Sequence, residues 1–140
     1  MKKLFKTLMI TCGMLLVSCS SNTPSGVVKQ TLEALKEHNF EVYAKNLYVA
    51  DTSDPEAIEK EIQKFVNMLE EIAKNQSDDD KIKSFKILNE KESESGKWVR
   101  VSFETENGKG KKEEGKFYLT KDAQGNWKIS LFGSEKLMDK

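Results

Sequence analysis

Hydrophobic and polar residues repeat along this chain with two periods, and the point where one gives way to the other divides it. Val28, Leu32 and Leu35 recur four and three residues apart, with Lys29, Glu33, Lys36 and Glu37 opposite, which predicts a helix from about Pro24 to His38. Asn39 suits the cap of a second, short helix whose apolar face is Phe40, Tyr43, Ala44, Leu47 and Tyr48. Asp54-Pro55 is a cap followed by proline at the first helical position. It opens the clearest helix, where Ile58, Ile62, Phe65, Leu69 and Ile72 form one stripe. That stripe is too short for a coiled-coil seam and is expected to pack against the protein's own sheet.

Beyond Asn75-Gln76-Ser77-Asp78-Asp79-Asp80 the period becomes two. Strands are predicted at Ile82–Glu90, Trp98–Glu106, Lys111–Thr120 and Asn126–Phe132. The connections are Glu94-Ser95-Gly96, Asn107-Gly108-Lys109-Gly110 and Asp122-Ala123-Gln124-Gly125. Val99, Val101, Phe103, Phe117, Leu119, Trp127, Ile129 and Leu131 are expected to face inward, with Gly115 marking a bulge or bend. Helices first and then four hairpin-linked strands give an α+β domain, its helices on one face of an antiparallel sheet. The domain is expected over residues 27–134, with 135–140 as a polar tail.

The first residues follow a different pattern. Met1-Lys2-Lys3-Leu4-Phe5-Lys6 is basic and Leu8 to Val17 mostly apolar, the layout of a secretory leader. The apolar part is well short of the roughly 20 residues that a bilayer-spanning helix needs. Leu16-Val17-Ser18-Cys19 resembles the lipobox of bacterial lipoproteins, an aliphatic residue and two smaller ones before Cys. The resemblance implies cleavage after residue 18, lipid on the Cys19 sulfur and acylation of the new amino group with chains such as palmitate. Several chains anchor stably where a single chain would not. Cys12 competes for the lipid, but it lies within the apolar run and follows Ile10-Thr11, a poorer match. Residues 19–26 then read as a flexible tether. Ser20, Ser21 and Asn22 carry no run of acids that would mark cell-surface export. The expected location is the cell envelope, lipid-anchored on the periplasm-facing outer membrane.

That cleavage changes the charge balance. The chain has 23 basic and 23 acidic side chains, and the leader takes away Lys2, Lys3 and Lys6 with no acid. The mature chain thus has 20 basic and 23 acidic groups, a net charge near −3. Nucleic acid is not an expected partner of such a body. Its two cysteines are Cys12 and Cys19, so the folded part has none for a disulfide and relies on its apolar core.

The opening Pro24-Ser25-Gly26-Val27-Val28, Leu32-Glu33-Ala34-Leu35-Lys36 and Asn39-Phe40 before Tyr43 is similar to small bacterial lipoproteins of the nuclear transport factor 2-like (cystatin-like) superfamily. Gly125-Asn126-Trp127-Lys128-Ile129 is equally typical of that superfamily. The resemblance covers nearly the whole mature chain and transfers a shape. Three helices would pack on a curved, cone-shaped four-stranded sheet, in a family of unknown function. Members of this superfamily often dimerise through the outer sheet face, and its enzymes set an Asp, often with a His, inside the cone.

Here the expected inward positions contain no carboxylate, and His38 is the one histidine, placed at a helix end. There is no Ser-His-Asp or Cys-His set. An EF-hand loop begun at Asp78 would put Lys83 at the turn glycine and Asn89 at the closing Glu, so neither metal nor cofactor is expected. Two surfaces remain for binding. Tyr43, Tyr48 and Trp127 could line a pocket in the cone for a small apolar ligand, or be plain core packing. Trp98, Arg100, Tyr118 and Phe132 share the outer face by parity and are residue types enriched in binding hot spots; they fit a homodimer or an envelope protein partner, or a half-wet sheet with scattered aromatics. The reading is a lipid-anchored, non-catalytic binding module. An isomerase or dehydratase using His38 or a helix-borne acid, and a purely structural self-associating protein, are the alternatives.

Overall fold

The computed structural model of the chain describes residues 22–49 and 54–140. Helix α1 spans Pro24–Lys36 and starts where the Thr23 side chain accepts a hydrogen bond from the Gly26 amide at 3.1 Å. It stops at His38, whose φ of 57° lies in the left-handed region, where histidine is among the more tolerant side chains. There the Asn39 amide returns to the Ala34 carbonyl at 2.7 Å, closing the last turn. Helix α2, Phe40–Lys45, is capped by Asn39, whose side chain accepts from the Val42 amide. It is shorter than the sequence pattern predicts. Leu47 leaves the helix and bridges Ile129 in parallel, so Asn46 and Tyr48 exchange backbone bonds with Ile129.

Helix α3, Pro55–Lys74, has the expected Asp54 cap and proline start. Its main contact is with α2, where Tyr43 stacks on Phe65 at 5.6 Å between ring centroids. Phe65 and Leu69 of its stripe also pack on the core that α1 shares with the sheet. Val66 is its one buried residue, and Met68 and Ile72 stay exposed.

The strands β1 (Ile82–Glu92), β2 (Val99–Asn107), β3 (Lys112–Lys121) and β4 (Trp127–Ser130) form an antiparallel sheet in that order. Register shifts at Ile82/Ser84 and Ile87/Asn89 break the β1–β2 ladder, and such bulges bend an edge strand. Two turns, β1–β2 and β3–β4, lie at one end of the sheet, and the β2–β3 hairpin lies at the other. The architecture is the α+β cone expected, three helices followed by a curved four-stranded sheet.

Val28, Leu32, Val101, Leu119 and Ile129 are at most 1 % exposed and form the centre of the core. Burial of each such side chain contributes about 1.5–3 kcal/mol. Leu131 does not join them. The strand ends at Ser130, and Leu131 is 47 % exposed as the chain turns, with the Gly133 amide bonded to the Ser130 carbonyl. Gly115 also departs from expectation, since the β2–β3 register runs without a bulge. A Cβ there would lie 2.6 Å from the Phe103 ring, so glycine leaves room for Phe103 to tilt onto Phe117.

Gly115→Ala should therefore lower stability by about 1–3 kcal/mol in urea unfolding. Repeating the substitution in a Phe103→Leu background should recover part of that loss; equal losses in both backgrounds would contradict this packing.

Candidate functional site

The residues expected to bind do not converge where the sequence pattern placed them. Tyr43 is a core residue, 8 % exposed, and burial pushes its hydroxyl pKa up. Tyr48 and Trp127 come together instead with Trp98, which the pattern assigned to the outer face. They line a groove of about 540 Å3 with Gly96, Lys97, Thr120 and Lys121. The groove lies at the two-turn end of the sheet, because Lys121 pairs with Trp127 and Trp98 directly precedes β2. The Lys121 ammonium sits 5.1 Å from the centroid of a Trp127 ring. Thr120 Oγ1 donates to the Lys97 carbonyl at 3.0 Å, tying the two sides of the sheet end together.

The opposite end has a smaller hollow of about 260 Å3 between α1 and the sheet. Leu32, Leu35, Phe103 and Phe117 form its apolar wall, with Asp80, Thr105 and Glu113 around it. An inward carboxylate is thus present after all. Glu113 is opposite Thr105 in the ladder and on the same face as Phe117. Glu113 and Asp80 are both exposed, so solvent reaches these acids. His38 ends α1 and packs against Phe40 at 5.3 Å between ring centroids. Among the described residues no cluster of His, Cys, Asp or Glu is placed to hold a metal, and no helix is long and apolar enough to cross a membrane.

The outer face has an occupant from its own chain. Gly133 lies against Tyr118, where a Cβ would sit 2.5 Å from that side chain. Beyond it, Glu135–Asp139 form a 3-10 turn rather than the free polar tail expected. Glu135 accepts from the Tyr118 hydroxyl at 2.8 Å and pairs with Arg100, which neighbours Tyr118 in the ladder. Met138 is buried, and the Lys140 carbonyl accepts from Ser95 in the β1–β2 turn. This strap crosses from β4 over β3 and β2. Arg100 and Tyr118 are therefore together but engaged, Trp98 belongs to the groove, and Phe132 stands 95 % exposed at the turn.

In sequence, residues 17–130 match a family described as a domain of unknown function, DUF4878. The chain belongs to the DUF4878 family. Among solved structures it is similar to a Campylobacter jejuni protein provisionally named an NTF2-like transpeptidase, with a TM-score of 0.58 and 12 % identity over 78 % of this chain and 98 % of that one. At that identity the likeness is one of fold. It agrees with the cone architecture expected from the order of elements. No curated protein matches the chain.

For this DUF4878 member, Cys19 lies outside the described residues. Sequence reasoning also missed Glu135 and Met138; the signal was a lone Leu137-Met138 pair in a charged segment after the last strand. Electrostatics makes the strap sensitive to pH. The Tyr118 hydrogen bond, helped by Arg100 and Lys116, holds the Glu135 carboxyl below the usual carboxylate range. Tyr118 is raised, first by loss of hydration and then by Glu135.

A lowered acid stabilises the strap above its unfolded-state pKa and ceases to do so as pH falls through the folded value. A raised tyrosine does so below its unfolded-state pKa, until pH rises through the higher folded one. The strap should thus be most protected between these ranges. Backbone amide exchange of residues 134–140 should speed up on acidification, and Glu135→Gln should speed it already at neutral pH. Unchanged protection in that variant would show that Met138 and the Ser95 contact hold the strap without Glu135.

Proposed function

We propose that this DUF4878 protein is a lipid-anchored, non-catalytic binding module of the bacterial cell envelope. Cys19 carries the anchor, and the groove of Tyr48, Trp98 and Trp127 is the binding surface. The observation that carries this reading is the convergence of three aromatic side chains and two lysines on one open groove. The centre of the cone is filled by Val101, Leu119 and Ile129, and the strap lies over Arg100 and Tyr118. Support for a module without catalysis comes from His38, spent on ending a helix, and from the exposure of Asp80 and Glu113, since proton transfer needs a group held near substrate at a tuned pKa. The groove's chemistry suits a partner with an apolar or ring face and negative charge. Support for the anchor comes from the basic start, the short apolar run and the lipobox-like Leu16-Val17-Ser18-Cys19.

Expressed in a bacterial host with labelled palmitate, the chain should be labelled and sediment with membranes. Cys19→Ser should abolish the label and release the protein to the soluble fraction, whereas Cys12→Ser should leave both unchanged. Retention of label by Cys19→Ser would overturn the assignment.

A further inference from the structure

The geometry points to an anionic lipid surface as the partner of the Tyr48–Trp98–Trp127 groove, an inference that rests on the lipid-anchored reading above. Position favours this partner first. Ser25, in the opening turn of α1, donates to Glu90, two residues before β1 ends. The turn beyond it carries Gly96, Lys97 and Trp98, which line the groove. Cys19 is five residues before Pro24, so the tether can reach at most about 18 Å. The chain therefore meets its anchor at the end of the sheet where the groove opens.

Charge favours it as well. Lys97 and Lys121 line the groove and no Asp or Glu does, although the mature chain is net acidic. The nearest acids lie outside the lining: the Glu92 carboxylate is beside Gly96, and Asp122, which accepts from the Gln124 and Asn126 amides, borders with Glu59 the adjoining hollow on the other side of Tyr48. Lysines near an anionic leaflet are drawn to it over about a Debye length.

Side-chain chemistry fits the same partner. Tryptophan and tyrosine, apolar in body and polar at one edge, settle at the headgroup level of a bilayer. Lysine can lay its stem along apolar surface and keep its ammonium in the polar layer, and the Lys121 ammonium already sits beside the Trp127 ring. Brought down by its anchor, the domain seats this end on the headgroups and leaves the Asn107–Lys111 end toward solvent.

The chain's two tryptophans both lie in the groove, so tryptophan emission, excited at wavelengths that tyrosine does not absorb, reports on it alone. The full chain, expressed with its leader and purified from the membrane fraction, is reconstituted into phosphatidylcholine vesicles with or without phosphatidylglycerol. A lipid brominated close to the headgroup serves as quencher. The expected result is loss of about half the emission in the anionic vesicles, little loss in the neutral ones, and recovery at high salt without release of the chain. Combined Lys97→Glu and Lys121→Glu should relieve the quenching while circular dichroism stays unchanged; if that variant misfolds, the salt titration decides. Unquenched tryptophans in anionic vesicles that retain the chain would overturn the proposal. So would a soluble glycan or envelope protein that shields them from acrylamide where lipid does not. The Cys19→Ser chain separates the two readings. Its quenching by added anionic vesicles keeps the docking surface even if palmitate labelling fails, whereas a labelled chain with unquenched tryptophans sinks docking and spares the anchor.

Discussion

The contact of α1 with the inner face of the sheet is the interaction on which the rest of the molecule depends. Val28 and Leu32 of α1 close over Val101, Leu119 and Ile129, and all five lose contact with water. With no cysteine available to the folded part, this contact carries the load that a disulfide shares in many small secreted domains. Tyr43 of α2 joins the same cluster, and Phe65 and Leu69 of α3 pack against it. α3 leans on α2 through Phe65 and Tyr43, and much of its apolar stripe remains half-exposed. Seating α1 along the sheet places its first turn at the two-turn end, beside Glu90.

A single layer of sheet still has a second face and a free edge to protect. The Asn46–Tyr48 segment pairs with the outer edge of β4, which gives the last strand a partner on both sides. The strap covers the middle of the outer face, and one carboxylate, Glu135, satisfies both Arg100 and Tyr118. The match is incomplete, because Arg100 Nε is enclosed without a hydrogen-bond partner. A buried donor left unpaired costs about 1–3 kcal/mol, so the strap is held less firmly than its contacts alone suggest.

Most of the fold was legible from periodicity and caps. Thr23-Pro24 and Asp54-Pro55 start helices because their side chains accept first-turn amides, and the alternation in Val99, Val101 and Phe103 places β2 in the core. Three features followed from tertiary contacts that no local pattern encodes. Leu47 matches a helical face but is drawn onto the edge of β4, and Leu131 keeps the strand's parity after the strand has ended. Gly115, which reads as a break, answers to the size of Phe103 across the ladder. The site was less legible still. Parity sorted Trp98 from Trp127 onto opposite faces, but at a sheet end both faces border the same groove.

A lipid tether on Cys19, as proposed, would hold the cone by the end that carries Tyr48, Trp98, Trp127, Lys97 and Lys121. Paired spin labels on the anchored chain measure that orientation directly. One label replaces Ala123 in the β3–β4 turn and the other Lys109 in the β2–β3 hairpin, both exposed positions at opposite ends of the sheet. The account predicts that lipid-soluble oxygen relaxes the Ala123 label strongly, and that a water-soluble relaxation agent dominates at Lys109. Equal access at the two positions, or the reverse order, would contradict it.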